Sequence, residues 1–200
     1  MKIEKVIFDL GKVLVKFDPK NLFNKIFKEE KEIDFFFKEI CPWEWHIQQD
    51  LIYDTKPATI ERVKKFPEYK EAIEAFYGRF QEMITGTYDE NIDIALGLKD
   101  KKIPIYILSN FPGDQFDIYK SKNPFIEKFD DMIISGKVSL KKPDKKIYEL
   151  AKEKFNCNPE KTLFIDDRPE NTLSASELGF KTITLHKPEE LKNEIKNFIF

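Results

Sequence analysis

A chain of 200 residues is long enough for one sizeable core, or for a core with a smaller inserted unit, but not for two large independent domains. Its composition, 41% hydrophobic and 35% charged, excludes a disordered chain and is typical of a soluble globular protein. The formal net charge is -2 and lysines alternate with glutamates, so no one-sided basic surface is indicated and we expect no nucleic-acid partner.

The amino terminus, MKIEKVIFDL, leads directly into a strand-like run without the apolar region of a secretory signal. No stretch approaches the ~20 apolar residues that cross a bilayer. We therefore expect a cytoplasmic protein with no membrane partner, and nothing in the sequence assigns an oligomeric state. Cys41 and Cys157 lie far apart without histidine or cysteine at metal spacing, so we expect buried or incidental thiols without chemistry.

Short β-branched or apolar runs predict parallel strands at 5–8, 103–108, 132–134, 162–165 and 182–185. Helical patterns at 144–155, 170–178 and 188–198 lie between or after the later strands. This alternation predicts an α/β fold, a doubly wound, Rossmann-like parallel sheet.

Residues 18–87 differ in character, with phenylalanine, lysine and glutamate at helical spacing and no convincing strand. We expect a small helical cap there, inserted after the first strand, and a core domain formed by residues 1–17 and 88–200. Most of the phenylalanines, Phe35, Phe36 and Phe37 among them, are expected to fill the core of this insertion.

Polar residues follow several of the predicted strands, at the sheet edge where open α/β sheets bind ligands. They are Asp9, Ser109, Asn110, Lys141, Lys142, Asp166 and Asp167. Each alone is ordinary turn or cap chemistry. Together they place three acids, which repel one another, beside a lysine and a hydroxyl. Such a set is costly unless a divalent cation and an anionic substrate neutralise its charges. Acidic oxygen ligands without histidine or cysteine favour Mg²⁺.

The segments FDLGKVLVKFD, ILSN, KKPD and FIDD, in that order, resemble the four signature motifs of the haloacid dehalogenase-like (HAD) superfamily, across essentially the whole chain. The form FDLGxV, the phrase CPWEWHIQQD and the helical insertion resemble a bacterial phosphatase branch related to glucose-1-phosphate phosphatases and to the phosphatase domain of epoxide hydrolases. The resemblance implies an Mg²⁺-dependent phosphatase that hydrolyses a small organic phosphate monoester through an aspartyl-phosphate.

The resemblance also implies roles for individual residues. Asp9 matches the nucleophile, whose other oxygen binds Mg²⁺. The backbone carbonyl of Gly11 and the carboxylate of Asp167 match further metal ligands, with Asp166 acting directly or through water.

Around the phosphoryl group, Ser109 matches the hydroxyl that binds one of its oxygens, joined by the amide of Asn110. Lys142 matches the lysine that offsets charge between nucleophile and substrate, and Lys141 is expected to be its solvated neighbour. Asn171, four residues after Asp167, is expected to support the site.

Position 11 departs from the pattern of most phosphatases in the superfamily, which carry there an aspartate that acts as general acid and then as base. Loss of such a group commonly lowers the rate by ~10²–10⁴. The related branch also has glycine here, so an active enzyme is still expected. Asp18, His46 or a metal-bound water are the candidate replacements.

The insertion is expected to act as a lid that shields the intermediate and selects the substrate. Trp45 and His46, together with Trp43 and Gln49, suit contacts with a sugar phosphate or a similar small molecule; the alternative of equal weight is that the two tryptophans are buried within the insertion. Two alternatives remain. A 2-haloacid dehalogenase would use Asp9 against carbon without metal, but such enzymes place an aromatic residue at position 11. A phosphometabolite-binding regulator with vestigial hydrolysis is favoured by Gly11 itself.

Overall fold

A computed structural model describes residues 2–199. The strands are β1 (Lys5–Phe8), β2 (Val15–Phe17), β3 (Ile84–Thr87), β4 (Ile105–Ser109), β5 (Asp131–Ile134), β6 (Thr162–Asp166) and β7 (Lys181–Thr184). Five of them form a parallel sheet in the order β5-β4-β1-β6-β7, and β2 pairs with β3 in a separate antiparallel ribbon. β1 lies at the centre, so its carboxyl end meets those of β4 and β6.

Both faces of the parallel sheet are covered. Along β1, Val6 and Phe8 belong to one buried cluster, whereas Ile7 belongs to another. This alternation follows from the two-residue period of a strand. Helical residues pack on each face, for example Phe116 on the first and Tyr148 on the second. The predicted doubly wound α/β fold is therefore confirmed.

The α-helices are α1 (Lys20–Phe23), α2 (Glu30–Phe35), α3 (Trp43–Gln49), α4 (Lys56–Lys65), α5 (Lys70–Gly78), α6 (Asp89–Asp100), α7 (Gly113–Lys122), α8 (Ser135–Val138), α9 (Lys145–Lys154), α10 (Pro169–Glu177), α11 (Leu191–Glu194) and α12 (Lys196–Ile199). A π-helical turn covers Phe36–Ile40, and 3₁₀ turns cover Pro67–Tyr69, Phe80–Met83, Pro124–Lys128, Pro159–Lys161 and Pro188–Glu190. The predicted helix at 188–198 is therefore divided into three short pieces.

The segment between β2 and β3 is helical and contains a buried cluster of its own, which runs from Leu22 to Met83. Phe36 lies at its centre and Phe37 packs against it, as expected from their spacing. Phe35 is 46% exposed, so the expectation that it fills this core is wrong. The expectation of no strand in 18–87 is also wrong, because β3 pairs with β2; its largely exposed sequence, ITGT, lacks the apolar run of a buried strand.

Within residues 2–199, no helix is both long and apolar enough to cross a membrane. Cys41 and Cys157 are free and buried, as expected from their spacing. Burial raises the pKa of Cys41 to about 12, which keeps this thiol protonated.

Candidate active site

Three carboxylates meet at the carboxyl ends of β1 and β6. Asp9 follows β1, Asp166 is the last residue of β6, and Asp167 comes directly after it. One ligand oxygen from each lies within 4.8 Å of those from the other two. The parallel register, with Phe8 opposite Ile165, places these acids side by side.

The ammonium group of Lys142 lies between two of these carboxylates. Its Nζ is 2.6 Å from Asp166 Oδ2 and 2.9 Å from Asp9 Oδ1, and it donates a hydrogen bond of 2.7 Å to Leu108 O. Lys142 is only 2% exposed, so these oxygens replace its hydration. The contact with Asp9 is an ion pair only, since Oδ1 accepts no well-aligned hydrogen bond from the described part of the chain.

The charges of this cluster set its protonation. Burial raises the pKa of Asp9 to about 6; the Lys142 charge opposes this rise, and the charges of Asp166 and Asp167 add to it. Burial also disfavours charge on Lys142, but Asp166 and Asp9 outweigh that effect and raise its pKa. At neutral pH, Asp9 is therefore mostly a carboxylate beside an ammonium group.

Asp166 is fully engaged by protein donors. Oδ2 contacts Lys142, while Oδ1 accepts hydrogen bonds of 2.9 Å from Arg168 N and from Asn171 Nδ2. Asn171 thus supports the site through Asp166. Asp167 has a much looser contact, 3.9 Å from Lys12 Nζ. Asp9 and Asp167 therefore have more oxygen lone pairs free to coordinate a cation than Asp166 has.

Asn110 braces the motif lysine. Its Nδ2 donates to Lys142 O and its Oδ1 accepts from Lys142 N, each at 2.9 Å. The side chain therefore holds the Lys142 backbone, so a phosphoryl contact from Asn110 would fall to its backbone amide. Ser109 ends β4 and is buried at the same edge of the sheet.

A cavity of about 390 Å³ lies above these groups. Its polar lining includes Asp9, Lys12, His46, Asp50, Ser109, Asn110, Lys142, Asp167, Arg168 and Asn171. Its apolar lining includes Leu10, Val15, Phe17, Trp43, Ile47, Phe80, Ile84, Phe111 and Pro112. Gly11 also lines it, so the predicted metal and phosphoryl-binding positions meet here, apart from the fully buried Asp166.

The predicted substrate contacts on the insertion divide between cavity and core. His46 lines the cavity; its Nδ1 is 2.9 Å from Tyr77 Oη, and burial lowers its pKa to about 4. Trp45 does not line the cavity, since its ring packs against Phe76 and Tyr77. Gln49 donates its side-chain amide to Trp45 O. On a helix, Trp45 lies on a different face from Trp43, and it is Trp43 that reaches the cavity.

Lys141 is not the free solvated neighbour that the sequence predicts. Its Nζ donates a hydrogen bond of 2.9 Å to Ile47 O in the last turn of α3. Two further backbone bonds join the chain after α3 to the start of α7, from Gly113 N to Ile52 O and from Asp114 N to Tyr53 O. These contacts hold α3 over the ends of the strands.

Asp50 is the functional candidate that sequence reasoning missed. It follows α3, is 7% exposed and lines the same cavity as Asp9. Burial raises the pKa of its carboxyl to about 7; Lys141 and Arg168 lower it, and Asp9 raises it. The acid at the end of WHIQQD was the only sequence signal, because its position depends on how α3 packs across the sheet edge.

A family model described as a haloacid dehalogenase-like hydrolase matches residues 6–185. The chain belongs to this hydrolase family. The matched region contains every site residue described above, so the resemblance carried by the four motifs is confirmed.

Among relatives of this HAD hydrolase, the sesquiterpene phosphatase astK of Aspergillus oryzae is 27% identical over 94 residues, which cover 47% of this chain and 47% of that protein. The chain spans less than half of the length of the curated relatives it matches. The name of this relative agrees with the resemblance of the chain to HAD phosphatases.

Among the solved structures that are similar to this HAD hydrolase are two enzymes. The HAD family enzyme bt-2542 of Bacteroides thetaiotaomicron, in complex with magnesium and inorganic phosphate, has a TM-score of 0.68 and 24% identity, covering 91% of this chain and 93% of that one. The L-2-haloacid dehalogenase of Xanthobacter autotrophicus has a TM-score of 0.60 and 16% identity, covering 98% and 83%. At these identities the likeness shows the fold alone.

Proposed function

We propose that the protein is a magnesium-dependent phosphatase that hydrolyses a small organic phosphate monoester through an aspartyl-phosphate on Asp9. The observation that carries this proposal is the buried Asp9 carboxylate in the cavity lining, paired with Lys142 and beside two further acids. Lys142 alone cannot neutralise three carboxylates and an incoming phosphoryl anion. A divalent cation is therefore needed for the substrate to bind.

The residues present fit Mg²⁺. Asp9, Asp167 and the backbone carbonyl of Gly11 would hold it, with Asp166 acting through water because its oxygens already accept protein hydrogen bonds. The acid cluster offers oxygen ligands alone, which favours Mg²⁺ over zinc. When bound, Mg²⁺ supplies positive charge that stabilises the phosphoryl oxygens.

The chain's own residues would share the chemistry as follows. The Asp9 carboxylate forms a bond to phosphorus while the bond from phosphorus to the leaving oxygen breaks, and water then cleaves the aspartyl-phosphate. Lys142 offsets negative charge between Asp9 and the substrate, held in position by Asn110 and Asp166. The Ser109 hydroxyl donates to a phosphoryl oxygen.

We also propose that residues 18–87 form a cap domain on a core of residues 1–17 and 88–200. In support, this segment contains its own buried cluster and lines the cavity opposite the strand ends with Trp43, His46 and Phe80. A cap in this position excludes bulk water from the intermediate.

The cavity wall favours an apolar group on the substrate. Phe17, Trp43, Phe80 and Phe111 form a chain of ring contacts, with centroid distances from 5.6 to 6.2 Å, and all four line the cavity. Burying an aliphatic or aromatic group against aromatic walls gives a more favourable binding free energy than burying a polyhydroxylated group. We therefore propose a prenyl or aryl phosphate in preference to a sugar phosphate, and the sesquiterpene phosphatase relative supports this choice.

The test is phosphate release from geranyl phosphate, phenyl phosphate and glucose 1-phosphate, with Mg²⁺ or with EDTA. We expect release only with Mg²⁺, and a higher kcat/KM for the first two substrates. Preference for glucose 1-phosphate would overturn the proposed substrate class alone. Chloride release from 2-chloropropionate without metal, in place of phosphate release, would favour the dehalogenase. Tight phosphate binding without turnover would favour the regulator.

A further inference from the structure

We infer that Asp50, from the insertion, is the acid and base that protonates the leaving oxygen and then accepts a proton from the hydrolytic water. This inference rests on the proposed phosphatase reaction and names the group that replaces the missing side chain at position 11. Three observations support it: position 11 is a glycine with open space around it, Asp18 and His46 are unsuitable, and the surroundings of Asp50 favour proton transfer.

Position 11 is open towards the cavity. A Cβ placed on Gly11 would meet no atom within 4 Å, and Gly11 does not have a positive φ. Glycine is therefore not required there by crowding or by backbone conformation. Asp50 lines the same cavity, from the side of α3. The cavity is thus lined by an acidic residue of the insertion, where the phosphatase pattern places one on the core.

The two other side chains that are candidates for this role fail on position or on protonation. Asp18 is exposed, accepts a hydrogen bond from Lys20 N and does not line the cavity. His46 does line it, but burial lowers its pKa to about 4, so it is neutral at physiological pH and too weakly basic to be regenerated as an acid.

The surroundings of Asp50 suit proton transfer in both directions. Burial favours the neutral acid and raises its pKa to about 7, while Lys141 and Arg168 favour the carboxylate. Asp9 raises this pKa and Lys142 lowers it. A general acid and base works best when its pKa is close to the working pH.

A further titratable group that interacts with Asp50 lies on another helix of the insertion. Tyr77 on α5 stays protonated, because burial and the charge of Asp50 both raise its pKa. The position of Asp50 is fixed by Lys141, whose hydrogen bond to Ile47 O anchors the last turn of α3. The lysine that anchors this turn beside the cavity is therefore also the one that helps Asp50 ionise.

In the first step, Asp9 forms a bond to phosphorus, and the electron pair of the breaking bond passes to the leaving oxygen. That oxygen takes the Asp50 proton and departs as an alcohol. In the second step, water attacks the aspartyl-phosphate and gives a proton to the Asp50 carboxylate, the bond from phosphorus to Asp9 breaks, and phosphate leaves. Asp9 returns as a carboxylate and Asp50 as an acid, so protons and electrons balance.

The experiment compares the wild type, Asp50→Asn and the matched control Glu44→Gln on phenyl and alkyl phosphates with graded leaving-group pKa. Glu44 is exposed on α3, the helix that Asp50 follows, and does not line the cavity. For Asp50→Asn we expect a loss of ~10²-fold or more on alkyl phosphates, a smaller loss on 4-nitrophenyl phosphate and a steeper dependence on leaving-group pKa. With 4-nitrophenyl phosphate, whose leaving group needs little protonation, phosphorylated Asp9 should accumulate because the second step has lost its base; intact mass after acid quench detects it.

A rescue keeps the test decisive. Gly11→Asp in the Asp50→Asn background should restore alkyl phosphate turnover and flatten the slope, because position 11 has room for the side chain. The Asp50 carboxyl ¹³C shift should titrate near pH 7 in metal-free protein. An active wild type whose slope is unchanged by Asp50→Asn would overturn the role of Asp50 alone. A folded wild type inactive on every phosphate would overturn the proposed function, and this inference with it.

Discussion

The side-chain amide of Asn110 bonds both backbone polar groups of Lys142, donating to its carbonyl oxygen and accepting from its amide at 2.9 Å each. A residue at the end of one strand thereby fixes the backbone from which the buried ammonium group reaches the acids. A displacement of a catalytic group by about an ångström is enough to lower the reaction rate.

Replacing Asn110 by alanine should therefore lower kcat by about 10–10²-fold with little change in KM, because Lys142 loses its support while the cavity keeps its lining. Steady-state kinetics on phenyl phosphate measures this. Asn123→Ala is the control, since Asn123 also bonds a backbone carbonyl, Tyr119 O, but lies outside the cavity. Equal kcat in the two variants would show that the brace is dispensable.

Lys142→Met should destabilise the protein by about 3–5 kcal/mol at pH 8, since it leaves Asp9 and Asp166 buried without their compensating charge. The deficit should shrink at pH 5. Loss of the ammonium group raises the pKa of Asp9 further, and a protonated Asp9 no longer carries an unpaired charge. Urea denaturation at both pH values measures the difference.

Lys141→Met is the matched control for this charge. Lys141 contributes one hydrogen bond, to Ile47 O, so its loss should cost no more than about 1.5 kcal/mol at pH 5. At pH 8 it should cost somewhat more, because Lys141 also favours the Asp50 carboxylate, but still less than the loss of Lys142. If both lysine variants unfold at the same urea concentration at pH 8, the buried ion pairs do not stabilise this fold.

Asp50 should make stability depend on pH in a predictable direction. Its pKa rises from 3.8 to about 7 on folding, so the folded state binds its proton more tightly than the unfolded state. Its contribution is fully present below pH 3.8 and is lost as the pH rises through about 7. Asp50→Asn removes this loss.

The metal-free Asp50→Asn variant should therefore gain stability relative to the wild type between pH 4 and pH 8, by at most about 4 kcal/mol. Urea denaturation across this range, with Glu44→Gln as control, gives the measurement. A difference between Asp50→Asn and wild type that stays constant with pH would mean that Asp50 keeps an ordinary pKa in the folded protein.

Gly136 is required by close backbone approach. A Cβ there would lie 2.4 Å from Gly113 N, 2.5 Å from Ile52 O and 2.8 Å from Phe111 O, where the insertion meets the loop after β4. Gly136→Ala should destabilise the fold by about 1–3 kcal/mol, because the backbone atoms that clash with the added Cβ cannot move aside without strain. Gly97→Ala, where a Cβ meets nothing within 4 Å inside α6, should instead stabilise by about 0.5–1 kcal/mol. An unchanged midpoint of thermal denaturation in the Gly136→Ala variant would contradict this packing.

The sequence predicted the sheet well because its strands are continuous apolar runs, and the residues after them had to meet at one edge. Asp9, Ser109, Lys142 and Asp167 were found in this way. The division of α3 between core and cavity was not predictable, since Trp43 and Trp45 are equally amphipathic and only packing decides which one faces the ligand.

Short-range patterns also hid longer-range partners. Lys141 looks like a solvated lysine until α3 is placed above it, and Asp50 looks like a helix-end acid until its burial is known. β3 was missed because a largely exposed strand needs no apolar run. Each of these features depends on tertiary contacts between the insertion and the strand ends, which no local signal reports.

The most direct test is Mg²⁺-dependent phosphate release from phenyl phosphate by the wild type and by Asp9→Asn, with the fold of both checked by circular dichroism. The amide keeps the shape of the side chain but is a far poorer nucleophile. We predict steady release by the wild type with Mg²⁺, and release at least ~10³-fold slower by Asp9→Asn. Release by Asp9→Asn at the wild-type rate would contradict an aspartyl-phosphate mechanism on Asp9.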